Sequence, residues 1–128
     1  MSSGLELGVI SHPGGGGIPV KTAFSMATLT GANTIVSAVS GKRIKVWDFK
    51  VIARSVALEA YFLSYFSAST YDQISQKALL PISGSWEGKP SQIHGQDVPA
   101  LATNVGDALS LNLSNATADV FVKYTEED

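Results

Sequence analysis

DALSLNLSNATADVFVKYT, residues 107–125, alternates apolar and polar side chains twice over. In its first half Leu109, Leu111 and Leu113 alternate with Ser110 and Asn112. In its second half Val120, Val122 and Tyr124 take every other place between Asp119 and Thr125. A side-chain period of two belongs to a strand with one buried face. Asn115-Ala116-Thr117 between the halves is turn-forming, so the stretch predicts a terminal β-hairpin with one buried side.

Upstream, the same kind of pattern recurs. Residues 43–54 form the strongest candidate strand, carrying Ile44, Val46, Trp47, Phe49, Val51 and Ile52. The parity of its apolar residues changes near Trp47, which predicts a central strand with a bulge or bend. Trp47 itself reads as core. Residues 20–29 and 34–39 are further strands, closed by Thr30-Gly31-Ala32-Asn33 and Ser40-Gly41-Lys42. The apolar run at 58–66 fits a strand or a buried helix. Tyr61, Phe62, Tyr65 and Phe66 favour strand, while the four-residue spacing of the tyrosines keeps helix open. Residues 70–76 read as a connection, and 77–82 as a short strand confined by Pro81 to an edge or an end. Residues 83–99, with Gly84, Gly88, Pro90, Gly95 and Pro99, read as a long surface loop.

Seven or eight short strands without long amphipathic helices predict an all-β fold, an antiparallel β-sandwich or jelly-roll-like domain over residues 20–128. Residues 1–19 read as an extended Gly/Pro-rich arm. Gly14, Gly15, Gly16 and Gly17 lie between Pro13 and Pro19 and rule out a helix there. Leu5, Leu7, Val9 and Ile18 are apolar anchors at mostly period two, so the arm is expected to dock, on this subunit or on another.

The glycine run fails as a phosphate loop. No Lys-Ser/Thr pair follows it, and a β pattern comes next instead of a helix. It reads as a hinge. The chain has 128 residues, no cysteine, a net charge of −2 and only 16% charged residues. The balance does not suit a protein built to neutralise nucleic acid. The low charge hints at area covered by partners, since soluble domains carry roughly 25%. No apolar run approaches a membrane span, and no signal peptide is expected. His12 and His94 are the only histidines, too few for a zinc site with three or four protein ligands. No serine, histidine and acid converge by motif, so neither a catalytic group, a metal nor a cofactor is expected. Trp86 and His94, in the 83–99 loop, are candidates for ligand or partner contact, with Tyr71 as a second aromatic platform. The plainer alternative is that Trp86 folds back over one end of the sandwich.

Residues 36–46, VSAVSGKRIKV, and 105–114, VGDALSLNLS, with the strand that follows to Tyr124, resemble small tailed-phage virion proteins. The resemblance covers about a quarter of the chain, and its motifs are sandwich framework. It implies a non-enzymatic structural protein, either a head decoration (cement) protein or a tail or fibre part. The implied partners are the major capsid protein or other virion proteins, and the implied assembly is a homo-oligomer, often a trimer. The implied location is the virion, at the capsid surface, after synthesis in the host cytoplasm. A tail- or fibre-associated module that binds carbohydrate or a receptor is the alternative.

Overall fold

The computed structural model describes residues 9–10 and 18–128. Every regular element among them is a strand. Strands β1 (Val9–Ile10) and β2 (Ile18–Pro19) precede β3 (Lys21–Ala27), β4 (Gly31–Val36), β5 (Arg43–Ala53) and β6 (Leu58–Ser67). Next come β7 (Thr70–Gln73), β8 (Ala78–Leu80), β9 (Ser85–Gly88), β10 (Ser91–Ile93) and β11 (Gln96–Val98). The last are β12 (Leu101–Ala102), β13 (Ala108–Leu113) and β14 (Ala118–Glu127).

Two antiparallel sheets face each other. Sheet one runs β3-β14-β5, and the outer edge of β5 is shared by β9 and β12. Sheet two runs β4-β13-β6, and the outer edge of β6 is shared by β7 and β8. With each split edge counted as one strand, each sheet has four strands, eight in all. The chain changes sheet at β3 to β4, β4 to β5, β5 to β6, β8 to β9, β12 to β13 and β13 to β14. This is the strand order of a jelly roll.

The terminal hairpin expected from residues 107–125 does not form. β13 pairs with β4 and β6, whereas β14 pairs with β3 and β5. Residues 114–117 form an arch between the sheets. The reason is burial: Leu109, Leu111 and Leu113 share one core cluster with Val120 and Val122, so the two alternating faces cover each other. The polar groups of the arch are tied to both sheets. Ser114 N–H donates to the Glu59 carbonyl, Ser114 Oγ accepts from Glu59 N–H, and the Thr117 carbonyl accepts from Arg54 N–H.

Residues 58–66 are strand, and the bulge expected at Trp47 is present: Lys123 lies opposite Asp48 and Tyr124 opposite Val46, which leaves Trp47 as the extra residue. Trp47 is buried but stands apart from the main core cluster, its indole N–H donating to Thr125 Oγ1 at 2.9 Å. Two expectations need correcting. Residues 70–76, read as a connection, contain β7, whose exposed polar residues pair with β6. Residues 83–99, read as a loop, contain β9 and a two-stranded β10–β11 ribbon.

At the β12–β13 end, the fully buried Ser64 hydroxyl donates to Asp107 Oδ2 at 2.8 Å and accepts from Asn104 N–H at 2.8 Å. Ser64→Ala leaves both partners short of a hydrogen bond inside the fold. The expected loss is about 1–3 kcal/mol of stability, read by denaturant unfolding.

Candidate functional site

Two surfaces gather the side chains that could meet another molecule. The first is the split edge of sheet one. Strand β9 pairs with β5 so that Trp86 lies opposite Val51 and Gly88 opposite Phe49. Trp86 therefore turns inward. Its ring meets Phe49 edge-on at 4.9 Å between centroids and Phe62 at 5.5 Å. It is half-buried and packs on the core, which is the plainer of the two expectations for it. Its remaining surface lines an open cleft of about 340 Å³, with Ile74, Gln76, Lys89, Ser91 and Leu101 among the walls. The floor is apolar and the rim carries amide, hydroxyl and ammonium groups.

His94 is not part of this cleft. It sits at the tip of the β10–β11 ribbon, exposed, with φ +53° and followed by Gly95 at φ +78°. Two successive positive φ values suit a tight two-residue hairpin turn. The cleft reaches Ser91 at the ribbon's base instead.

The second surface is the outer face of sheet one. Phe24 is 81% exposed and Met26 51%. Phe24 meets Phe121 edge-to-face at 6.3 Å, and a hollow of about 120 Å³ beside them is lined by Ile52, Lys50 and Asp119. Most charges around this apolar centre are paired with one another, Lys123 on β14 being outside these pairs. Lys50 faces Glu87 at 3.7 Å, Lys89 faces Asp48 at 3.3 Å, and Arg54 faces Asp119 at 3.2 Å. Nothing in the sequence motifs announced this face. Its signal lay in β3, where the large apolar residues Phe24 and Met26 alternate with the small residues Ala23, Ser25 and Ala27. The small set points to the core and the large set to the outside.

At the end of the same sheet, Lys21 pairs with Glu126 at 2.8 Å. The hydrogen bond to the Glu126 carboxylate, followed by its charge, holds the Lys21 ammonium above its ordinary value of 10.5. Burial, followed by the Glu126 charge, pushes the Tyr124 phenol above 10.0. Both groups hold their protons more tightly when folded. Their contribution to stability is complete below the ordinary values and falls as pH rises through the raised ones. The melting temperature is therefore expected to drop as pH rises through the ordinary values of 10.0 and 10.5 and beyond, and Glu126→Gln should flatten that drop in a thermal-melt series.

Sheet two carries Tyr71, the second aromatic platform expected from the sequence, away from the Trp86 cleft. Tyr65 stacks on Tyr71 across β6 and β7 at 6.2 Å, and the Lys77 ammonium lies 5.3 Å from the Tyr61 ring. Among the described residues no group of three His, Cys, Asp or Glu side chains is placed to hold a metal ion.

Of the arm anchors, Val9 falls in β1 and Ile18 in β2, which pair antiparallel. Leu5, Leu7, Gly14, Gly15, Gly16 and Gly17 lie outside the described residues.

No protein-family model matches the chain, and no curated protein matches it. Among solved structures, it is similar to a chain of one described as "Cyanophage Pam1 capsid asymmetric unit", at 20% identity over 98% of this chain and 96% of that one. The TM-score is 0.37, too low for the likeness to bear on fold or function.

Proposed function

We propose that the chain is a non-enzymatic structural protein of a phage particle, a decoration protein on the outside of the head. It attaches through the flank that carries the arm, the β3 edge and the outer face of sheet one. The observation that carries this reading is that outer face. An exposed aromatic and aliphatic patch marks a contact surface more often than not when it is contiguous. Three of the neighbouring charge pairs are already closed within the face, and Lys123 on β14 beside Phe121 offers a partner one cation to pair with. The partner is the major capsid protein or another virion protein, and the chain assembles with itself, as a trimer in the form the resemblance suggests.

Two further points support the reading. The sequence motifs that resemble small virion proteins fall on the β4–β5 connection, the start of β5, β13 and β14, parts of both sheets. The jelly roll serves capsid proteins and lectins alike, so it accommodates the role without requiring it.

The test is the copy number of the chain in gradient-purified particles, by quantitative mass spectrometry against the major capsid protein. Hundreds of copies at a simple ratio to the shell subunit are expected. A few dozen would move the protein to the tail or fibre, and absence from particles would overturn a virion role.

The Trp86 cleft favours a second reading, a carbohydrate-binding module. An indole floor with an amide and an ammonium on its rim suits a sugar ring. Under it, Gln76→Ala and Lys89→Ala should each weaken glycan binding in titration calorimetry while leaving the melting temperature in place.

A further inference from the structure

The outer face of sheet two differs in kind from that of sheet one. On β6, Leu58, Ala60 and Phe62 belong to the core cluster, so Tyr61, Leu63 and Tyr65 leave the sheet on its outer side. Directly opposed residues in an antiparallel pair share a face. Asn112 on β13 lies opposite Tyr61, while Gln73 and Tyr71 on β7 lie opposite Leu63 and Tyr65. Leu63 and Ser110, opposite each other in the middle of the face, are buried. The floor is therefore closed, and the platform above it is shallow.

The aromatic end of this platform is formed by Tyr65 and Tyr71. Their rings are parallel to within 13°, with centroids 6.2 Å apart, and Tyr71 is 52% exposed. Gln73 lies two residues from Tyr71 along β7, about 7 Å. Its amide nitrogen donates to the Ser75 carbonyl at 2.8 Å, which holds the side chain in place. Asn112 lies one row further on and is half-buried.

Charge is sparse on this face. Asp72, the carboxylate of β7, lies opposite the buried Ser64 and so leaves on the inner side, where Asn104 Nδ2 donates to it at 2.8 Å. Glu59 is six residues from Tyr65 on β6, about 20 Å away. The Lys77 ammonium rests 5.3 Å from the Tyr61 ring. The outer face of sheet one, by contrast, carries three ion pairs around its apolar centre. A protein partner, with roughly a quarter of its residues charged, would set ions against sheet two that find little counter-charge there. An uncharged polyhydroxyl ligand brings none.

We propose that the Tyr65–Tyr71 end of sheet two binds an uncharged polysaccharide lying flat across β6 and β7. The C–H face of a pyranose ring stacks on the exposed Tyr71 ring. Its hydroxyls, and those of the next unit, meet the amides of Gln73 and Asn112, each of which offers both a donor and an acceptor. The proposal rests on the glycan reading, not on the virion reading, and places the sugar apart from the Trp86 cleft. Binding per chain is weak on so shallow a platform, and repetition of the chain in an oligomer strengthens it.

The test titrates the full chain with neutral oligomers of glucose, mannose, galactose and N-acetylglucosamine, and with one carboxylated oligomer. Binding is read by saturation-transfer NMR and by shifts of the amide signals. At least one neutral oligomer is expected to bind, with the largest shifts on β6 and β7. Tyr71→Ala should weaken it at least fivefold, and Tyr71→Trp should restore it. The tryptophan variant separates loss of the platform from fraying of β7, so a loss that tryptophan does not restore would overturn the proposal. Shifts centred on Trp86 and Ser91 would return the glycan to the cleft, overturning the proposal while sparing the glycan reading. Binding of the carboxylated oligomer alone would overturn the uncharged ligand. Binding of no oligomer would overturn the proposal and the glycan reading together.

Discussion

Gly88→Ala is expected to lower the stability of the protein by about 3 kcal/mol, near the upper end of what overpacking costs. A Cβ built on Gly88 falls 2.0 Å from Phe49 Cε2 and 2.5 Å from Cζ. The ring cannot retreat easily. It is held edge-on between Phe62 at 4.9 Å and Trp86 at 4.9 Å, and it belongs to the core cluster. The substitution therefore displaces Phe49, β9 or both. The edge of β5 that β9 covers would loosen with it, and the Trp86 cleft would change shape. Denaturant unfolding gives the magnitude. The cause is checked in a Phe49→Leu background, where the added methyl finds space and the same change should cost less than half as much. An equal cost in both backgrounds would show that the clash is not the mechanism.

Asn33→Ala is the second large effect, expected at about 2–4 kcal/mol. Asn33 is 8% exposed and sits where the chain passes from β3 in sheet one to β4 in sheet two. Its Oδ1 accepts from Leu29 N–H at 3.0 Å. Its Nδ2 donates to the carbonyls of Leu29, Gly31 and Leu111 at 2.8, 3.0 and 3.2 Å. One side chain thus satisfies backbone groups of the turn and of β13. Alanine removes all four contacts, and a buried group left unsatisfied costs about 1–3 kcal/mol, partly recovered where water enters. Asn33→Asp removes the donor but keeps the acceptor, so it should lose the three carbonyl contacts and retain the Leu29 N–H contact. Hydrogen exchange at Leu29 separates the two variants: fast in Asn33→Ala, slower in Asn33→Asp.

Much of the fold was legible because alternation reports burial directly. Residues 43–54 showed both their central position and the bulge at Trp47, since an extra residue shifts the parity of everything after it. The same logic explains the error at the C-terminus. A period of two says that Leu109, Leu111 and Leu113 share one buried face, but not which sheet supplies the cover. A hairpin and an arch print the same pattern. β7 was missed because all its residues are exposed, so Thr70, Tyr71, Asp72 and Gln73 carry no burial signal. Their pairing rests on the backbone and on the Tyr65–Tyr71 stack.

The candidate surfaces were less legible. Trp86 was singled out for its type, and the structure brings it to a cleft while using most of its ring as core. His94 was singled out for its rarity and stands alone at a ribbon tip. Phe24 and Met26 went unremarked, because large apolar residues in a strand read as interior. Only the pairing of β3 with β14 shows that the small residues take the inside.

The placement of β13 and β14 has a consequence for how the molecule comes into being. Each is flanked on both sides in its own sheet, β13 by β4 and β6, β14 by β3 and β5. Both follow β3 to β12 in chain order. A nascent chain that has reached residue 106 holds neither of the strands that bridge its two halves. β3 has no partner toward β5, and β4 has none toward β6. Closure of both sheets waits on the same segment, residues 108–127, so the native structure forms in one late step rather than by gradual growth. The contacts that then form span most of the chain length, which places folding in the slow range of small domains, roughly milliseconds to seconds. During that interval β3 and β4 are unaccompanied, and any device that keeps them from other chains acts before the molecule is whole.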